Sequence, residues 1–485
     1  MVDEELSIVL VSNRAPVSFV ASDDHFDIKR GAGGLAGALH PVARRLRGKA
    51  VWVATATSET DRRALAAGAA DGLAAKLGYP VYLLDIEPEI YAPYYDDVSN
   101  RMLWFANHCL WEELGIEGFD PGEIAAWEGA YELVNRRFAQ AVAELADPSA
   151  LVLFQDYHLT TAPRHLRQRA PGQTIFHFTH SSFCCPGLKH LPGAIPEQVL
   201  EGMLAADLVG FHTRAWGESF LDCCESLGAS VDREGGSVEH SEHRTWVRSY
   251  PIPIDVKGVR KRAAGARARR WKERLIPEDG VRLIVRGDRA EPSKNVVRGF
   301  EAFGLLLDRR PDLRQKVRFV ACLYPSRESM PEYREYLERI ETTVNAVNDR
   351  HTDAIRLFLK DDYDRTLAAL SMYDVLLVNS IMDGMNLVSK EGPVVNDRDG
   401  VLVLSSGVGS FEELGEHAVP IDDALDVNET AEALGRALDM DAGDRGRRAA
   451  ALRGKIETRS PADWIQDQLD DLLALREIGE PKGSL

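Results

Sequence analysis

The sequence predicts an α/β protein made of two doubly wound, Rossmann-like domains, and three observations carry that prediction. Short apolar runs alternate with longer amphipathic stretches along the whole chain. Alternation of this kind builds parallel sheets covered by helices on both faces. Eleven runs qualify as strands, too many for one comfortable doubly wound sheet and a good fit to two sheets of about six. Between the two series lies SYPIPIDVKG, where Pro251 and Pro253 hold the chain extended and cannot continue a helix.

The first strand series is Ser7–Ser12, Ala50–Ala54, Val81–Leu84, Leu151–Phe154, Thr174–Phe178 and Leu208–Phe211. The second is Val281–Val285, Val317–Cys322, Ile355–Leu359, Val375–Val378 and Val401–Leu404. Helical spacing fills Ile124–Leu145, Val296–Leu307, Met330–Asn348 and Thr366–Met372. The expected domains are residues 1–253 and 254–460, with 461–485 a C-terminal helix packing back on the first domain; its amphipathic part is Ala462–Leu475. The basic segment Val256–Arg274 reads as one helix with a solvated charged face, and the polar stretch Asp232–His243 as a surface loop.

Composition narrows the function. The 485 residues carry 58 Lys plus Arg against 76 Asp plus Glu, a formal charge of −18. That balance disfavours nucleic acid and anionic membrane as partners. Anionic substrates then require cations placed locally on an acidic background. The six cysteines show no CxxC or Cys/His zinc spacing, so reduced core thiols are expected. The start MVDEELSIVLVSNR lacks the basic region of a signal peptide, and no apolar stretch of about 18 residues occurs, which points to the cytoplasm.

Several segments carry candidate chemistry at strand ends, where open α/β sheets bind ligands. SNRAPV (Ser12–Val17) offers Arg14 as a charge-assisted donor to an anion, or as a salt-bridged surface arginine. GAGGLAGAL (Gly31–Leu39) supplies a glycine-rich turn before a helix. YYDDVSNRMLW places Tyr95 and Trp104 close along a helix–loop, as sugar-phosphate donors or as core. FQDYHL ends a strand with Asp156, suited to a sugar hydroxyl or to capping the next helix; HFTHSSFCCP places His180 at another strand end, where a lone histidine is more often structural. GDRAEPSKN (Gly287–Asn295) projects Arg289 and Lys294 from a strand-to-helix loop, a place to neutralise a diphosphate leaving group. Arg327 follows another strand in LYPSRE. DGMNLVSKE (Asp383–Glu391) opens a helix whose free N–H groups face a phosphate, with Glu391 about two turns on and able to accept from ribose hydroxyls. GVGSFEEL (Gly407–Leu414) adds a further glycine-rich turn.

Taken in order, SNRAPV, AGGLAGAL, YYDDVSNRMLW, QDYHL, ADLVGFHT, the Arg289/Lys294 pair and DGMNLVSKE followed by GVLVLSSGVGSFEEL resemble the trehalose-6-phosphate synthase family of glycosyltransferases. The resemblance implies a GT-B fold and retaining transfer of glucose from a UDP- or GDP-activated donor to glucose 6-phosphate. It implies that Arg14, Tyr95, Trp104 and Arg327 hold the acceptor phosphate and that Asp156 meets acceptor hydroxyls. His180 and Asp383 would touch the donor sugar, and Arg289 and Lys294 the diphosphate. Asn386, Leu387 and Val388 would offer backbone donors, Glu391 would hold the ribose, and Gly34 would let the backbone close over the donor. No metal or other cofactor and no protein nucleophile is implied, because cations and a helix N-terminus can stabilise the leaving group. The partners implied are the nucleotide sugar, the sugar phosphate and further copies of the chain in a dimer or tetramer.

The chain departs from the family pattern at defined places. Ala290, Glu291, Pro292 and Ser293 replace a Leu-Asp-Tyr type sequence, Met382 replaces an arginine, and His180 is followed by Ser181, Ser182, Phe183 and Cys184 in place of a proline-rich run. The family's Gly-Trp-Ser-Gly corresponds to Ala54–Thr57, with Trp52 nearby. The Arg-x-x-Pro-x-Lys-Asn loop is similar to that of related pseudo-glycosyltransferases, which join a cyclitol to an amino-cyclitol phosphate. Glucosylglycerol-phosphate synthesis and non-catalytic sugar-phosphate sensing are the other readings the resemblance leaves open.

Overall fold

Aliphatic and β-branched side chains form strands here because helices cover both faces of each sheet. In the computed structural model, which describes residues 7–22, 25–30, 39–40, 43–44, 46, 49–276, 278, 280–479, 481 and 485, the chain divides into two units. One joins Met1–Pro251 to Pro461–Leu485, and the other is Ile252–Ser460.

The first unit contains β1 (Ile8–Arg14), β2 (Val17–Ser22), β3 (His25–Arg30), β4 (Ala50–Thr55), β5 (Val81–Leu84), β6 (Leu151–Gln155), β7 (Thr174–Phe178), β8 (Leu208–Phe211), β9 (Ser230–Asp232), β10 (Ser237–His240) and β11 (His243–Ser249). Nine of these form one sheet in the order β5-β4-β1-β6-β7-β8-β11-β10-β9. β1 pairs in parallel with β4 on one side and β6 on the other, so strand order reverses there. The β1–β4 register shifts between Val11 and Arg14, an irregularity that re-aims the last residue of the strand.

The second unit contains β12 (Arg282–Ala290), β13 (Val317–Pro325), β14 (Ile355–Leu359), β15 (Val375–Val378), β16 (Val401–Ser405) and β17 (Val419–Ile421). Its sheet runs β14-β13-β12-β15-β16-β17 with parallel pairing throughout. Alternate residues of β12 enter opposite cores. Ile284 packs with Phe300, Phe303 and Phe319, while Leu283 and Val285 pack with Leu367, Leu370 and Leu376. The reversal of strand order falls between β12 and β15.

The helix Pro461–Ile478 belongs to the first unit. Its Trp464 Nε1 donates to the Tyr250 carbonyl (2.9 Å), the Tyr250 hydroxyl donates to Asp471 (2.6 Å), and Arg476 donates to the Ser149 carbonyl (2.8 Å). Among the described residues no helix is long and apolar enough to cross a membrane.

The structure corrects several expectations. Asp232–His243 is not a loop: β10 pairs antiparallel with β9 and β11, with Val238 buried beneath polar neighbours that hid the strand. Val256–Arg274 is two helices, Val256–Ala263 and Ala266–Leu275, because Gly265 breaks the first and caps the second in an extended conformation. Ile124–Leu145 begins earlier, at Pro121, and widens into a π-helical turn over Trp127–Glu132. The β2–β3 hairpin was unforeseen, lying between SNRAPV and the glycine-rich segment. β12 and β13 run beyond their apolar residues because they pair in register to Ala290 and Pro325; Arg289 therefore lies on a strand rather than in a loop. Arg14 likewise ends β1 itself. The thiols are not all reduced: Cys109 and Cys184 are bridged, with Cα atoms 5.9 Å apart, and Cys185, Cys223, Cys224 and Cys322 are buried and free. The bridge follows from close approach of the two segments, where a Cβ at Gly187 would run into the Ala106 carbonyl.

Candidate active site

In the first unit, the carboxyl ends of β1, β6 and β7 carry one connected group of polar and aromatic side chains. The guanidinium of Arg14 donates to the Tyr95 hydroxyl at 2.8 Å. Tyr95 comes from a π-helical stretch, Pro93–Leu103, whose wide turns precede Trp104; such turns recur at functional sites. Tyr95 stacks on Tyr91 (centroids 5.6 Å, 9° between planes) and on His158 (5.8 Å, 17°). His158 stacks on Tyr157, which meets Trp104 at 5.4 Å. A continuous aromatic wall thus joins Arg14, Tyr95 and Trp104.

Asp156 and His180 adjoin that wall. Asp156 has φ 74° and ψ 168°, a conformation that L residues avoid and that accumulates at functional sites. Its Oδ1 accepts from the His180 backbone N–H (3.2 Å), and the His180 ring lies 2.9 Å from Gln155 Oε1 through Nε2. Burial, with the neighbouring His212 and His177, pushes the His180 pKa well below the ordinary histidine range, so the ring is neutral near pH 7. Trp52 does not reach this group from solvent; it is buried and donates to Ser12 Oγ (2.8 Å). Gly34 lies outside the described residues.

In the second unit, the ends of β12, β13 and β15 carry a network of charges. Arg289 and Arg327 share the buried carboxylate of Glu291, at 3.1 Å and 3.3 Å. Arg327, at φ 51°, also donates to the Tyr333 hydroxyl. Lys294 pairs with Asp383, which accepts in addition from Asn386 Nδ2 (3.0 Å). Burial works against the Lys294 ammonium, but the Asp383 and Glu291 carboxylates outweigh it and hold the amine above the ordinary lysine range. Arg286 donates twice to Asp288 and also to the Lys294 carbonyl, fixing the loop from below. Asn295, left-handed at φ 56°, ties the loop to the carbonyls of Asn379 and Ala424.

DGMNLVSKE turns into the helix Val388–Val395 through Asn386, also left-handed at φ 64°, whose Oδ1 accepts from the Ser389 N–H. Leu387 is the N-cap and Val388 the first helical residue, at the end where backbone N–H groups lack intrahelical partners. The glycine-rich GVGSFEEL braces this loop: Asp383 N–H donates to the Gly407 carbonyl and Gly409 N–H returns to Asp383. Only glycine fits at 407, since a Cβ would overlap the Ile381 carbonyl. Glu391, further along the helix, accepts from the Tyr363 hydroxyl (2.7 Å). Burial raises its pKa to about 7, partly offset by that bond and by Arg262.

The structure thus brings together Arg14, Tyr95, Trp104, Asp156 and His180 in one unit, and Arg289, Lys294, Arg327, Asp383 and Asn386 in the other. Leu387, Val388 and Glu391 line the adjoining helix start. Sequence reasoning missed Tyr91, Gln155 and His158 in the first group, and Arg286, Asp288, Glu291, Tyr333 and Tyr363 in the second. His158 lay inside a quoted motif. Arg286, a charge within the apolar run LIVRG, was the one clear signal of a buried ion pair.

Two largely parallel sheets with polar clusters at the carboxyl ends of their strands, one cluster rich in cations, define a ligand-binding α/β protein of the doubly wound class. The model of glycosyltransferase family 20 matches residues 6–474, and the chain belongs to that family. It is 33% identical over 442 residues to the validamine 7-phosphate valienyltransferase of Streptomyces hygroscopicus subsp. jinggangensis, covering 87% of this chain and 85% of that protein. It is 32% identical to the trehalose-6-phosphate synthase of Mycobacterium sp. (strain KMS), covering 98% and 96%. The crystal structure of an α,α-trehalose-phosphate synthase (UDP-forming) from Burkholderia xenovorans in complex with glucose 6-phosphate superposes with a TM-score of 0.80 at 25% identity, covering 96% of this chain and 100% of that one.

Proposed function

We propose that the protein makes α,α-trehalose 6-phosphate from UDP- or GDP-glucose and glucose 6-phosphate, with retention at the anomeric carbon. The bond from that carbon to the diphosphate breaks, a bond to the acceptor's anomeric oxygen forms, and the acceptor proton leaves with the nucleoside diphosphate. The observation that carries this reading is the cation group at the ends of β12 and β13, where Arg289 and Lys294 stand ready to meet the leaving diphosphate. The backbone N–H groups of the N-cap Leu387 and the first helical residue Val388, together with Asn386, supply further donors, and Glu391 takes the ribose. Asp383 and the neutral His180 contact the transferred sugar. Arg14, Tyr95, Trp104 and Arg327 hold the acceptor phosphate, and Asp156 its hydroxyls. The chemistry calls for neither a metal nor a protein nucleophile.

A second reading, transfer of a cyclitol to an amino-cyclitol phosphate, is favoured by the loop Arg289–Asn295, by the His180-Ser181-Ser182 segment, and by similarity to the valienyltransferase. Nucleotide release from UDP- and GDP-glucose, with and without glucose 6-phosphate, tests both. A trehalose 6-phosphate product requiring both substrates supports the first. Release that glucose 6-phosphate does not stimulate, but an amino-cyclitol phosphate does, replaces it with the second.

A further inference from the structure

Glu291 has no part in the roles above, yet with Arg286 it is one of two wholly enclosed charges in the second unit's network. Its carboxylate has no exposed surface. Oε1 accepts from Arg289 (3.1 Å) and from Ser293 Oγ (3.2 Å), while Oε2 accepts from Arg327 (3.3 Å). The two arginines come from neighbouring strands in register, since Arg289 lies opposite Tyr324 on β13 and Arg327 follows that strand by two residues. Their charges oppose each other: Arg327 weakens the protonated form of Arg289, and Glu291 restores it. A guanidinium has five N–H donors, more than one carboxylate oxygen can take up.

We infer that Glu291 is a positioning residue that holds Arg289 and Arg327 as a fixed pair, setting the donor's diphosphate and the acceptor's phosphate at one spacing. The inference rests on the functional reading above, in which those arginines meet different substrates. Glu291 touches neither substrate and acts through both arginines. It therefore differs from a residue that serves one ligand, and from a buried charge that serves only the fold.

The test is calorimetric binding of UDP, GDP, glucose 6-phosphate and inorganic phosphate to the full chain, with melting temperature measured in parallel. Wild type, E291Q, E291D, R327A and E291Q/R327A are compared. E291Q is expected to weaken nucleoside diphosphate and sugar phosphate alike, each by about tenfold or more, the scale of one charge-assisted hydrogen bond. In the double variant, E291Q is expected to add nothing to the loss of sugar-phosphate binding that R327A causes, while still weakening the nucleotide. A purely structural role would not produce that selective non-additivity. E291D keeps the charge but is one methylene too short to span both guanidiniums, so it is expected to fold and to weaken at least one ligand relative to wild type. Should E291Q fail to fold, E291D decides. Unchanged binding of both ligands in the folded variants, or loss confined to one ligand in E291Q, or full additivity, overturns the inference. A wild-type chain that binds no nucleoside diphosphate, or no sugar phosphate, overturns the functional reading itself and this pairing with it.

Discussion

Replacing Lys294 by methionine separates what the Lys294–Asp383 pair does for the fold from what it does for chemistry. The two side chains are 10% and 11% exposed, and the ammonium pairs directly with the Asp383 carboxylate. Lys294→Met removes that charge partner and keeps the neutral donors Asn386 (3.0 Å) and Ser380 (3.4 Å). Removing one partner of a buried pair costs about 3–5 kcal/mol. The two remaining hydrogen bonds favour the lower end, and about 3 kcal/mol lowers the melting temperature of a domain this size by roughly 6–12 °C. Loss of a preorganised charge at the leaving group lowers turnover by about 10²–10³. Adding Asp383→Asn removes the stranded charge, so the double variant recovers most of the melting temperature while turnover stays low. Thermal unfolding and nucleotide release on the same samples provide both readings. Wild-type turnover in Lys294→Met would remove Lys294 from the leaving-group site. A double variant no more stable than the single one would show that the pair is not what the fold depends on.

Three further outcomes follow from particular groups. Glu391 has a folded pKa of about 7 against an ordinary value near 4.3, so its favourable contribution is complete below about pH 4.3 and is lost as pH rises through about 7; if the ionised form is the ribose acceptor, KM for the nucleotide sugar falls as pH rises through about 7, and Glu391→Gln flattens that profile. A wild-type KM with no inflection there would remove the role. At Asp156, alanine and glycine both forfeit the bond from His180, but only glycine relaxes φ 74°, so Asp156→Gly should melt higher than Asp156→Ala by about 1 kcal/mol of stability; equal melting would show no strain. Unfolding without reductant should expose four titratable thiols, and with reductant six; six in both cases would contradict the Cys109–Cys184 bridge.

Where a strand is bounded on both sides by residues that end it, its limits were legible in the sequence. Thr174–Phe178, Leu208–Phe211 and Ile355–Leu359 keep the bounds expected of them. The expectation fell short where pairing outlasts hydrophobicity. Arg286–Ala290 extends β12 because β13 offers a partner at each position, a long-range fact that local composition does not carry. The site shows the same division. Arg289, Lys294 and Asp383 stand out by chemical type at strand ends. Their neighbours Glu291, Tyr333 and Tyr363 acquire meaning only when separate strands and helices converge, and until then they are ordinary surface or core types. The Cys109–Cys184 bridge was illegible for the same reason, since the two cysteines lie 75 positions apart and the chain between them sets its geometry.

A second distinction, between neighbouring arginines, needs burial rather than motif. The network of the second unit holds Arg286, Arg289, Lys294 and Arg327 against Asp288, Glu291 and Asp383, four cations to three carboxylates. A buried charge without a partner is too costly to keep, so the pairing is what allows so many cations to gather in one place on a chain of net charge −18. Pairing alone does not say which cations are available to an anion. Arg286 is wholly enclosed and spends its donors on Asp288, Asn379 and the Lys294 carbonyl. Arg289, three residues along the same strand, keeps 31% of its side chain exposed while bound to Glu291. The strand's alternation turns the two guanidiniums to opposite faces, one into the packed interior and one toward the open end of the sheet. The first organises the loop that presents Lys294, and the second keeps part of its surface exposed at the end of the strand. The enclosed and the exposed cations are thus distinct residues: Arg286 is held by Asp288 and Lys294 by Asp383, while Arg289 and Arg327 share Glu291, and the diphosphate role proposed above falls to Arg289 rather than Arg286.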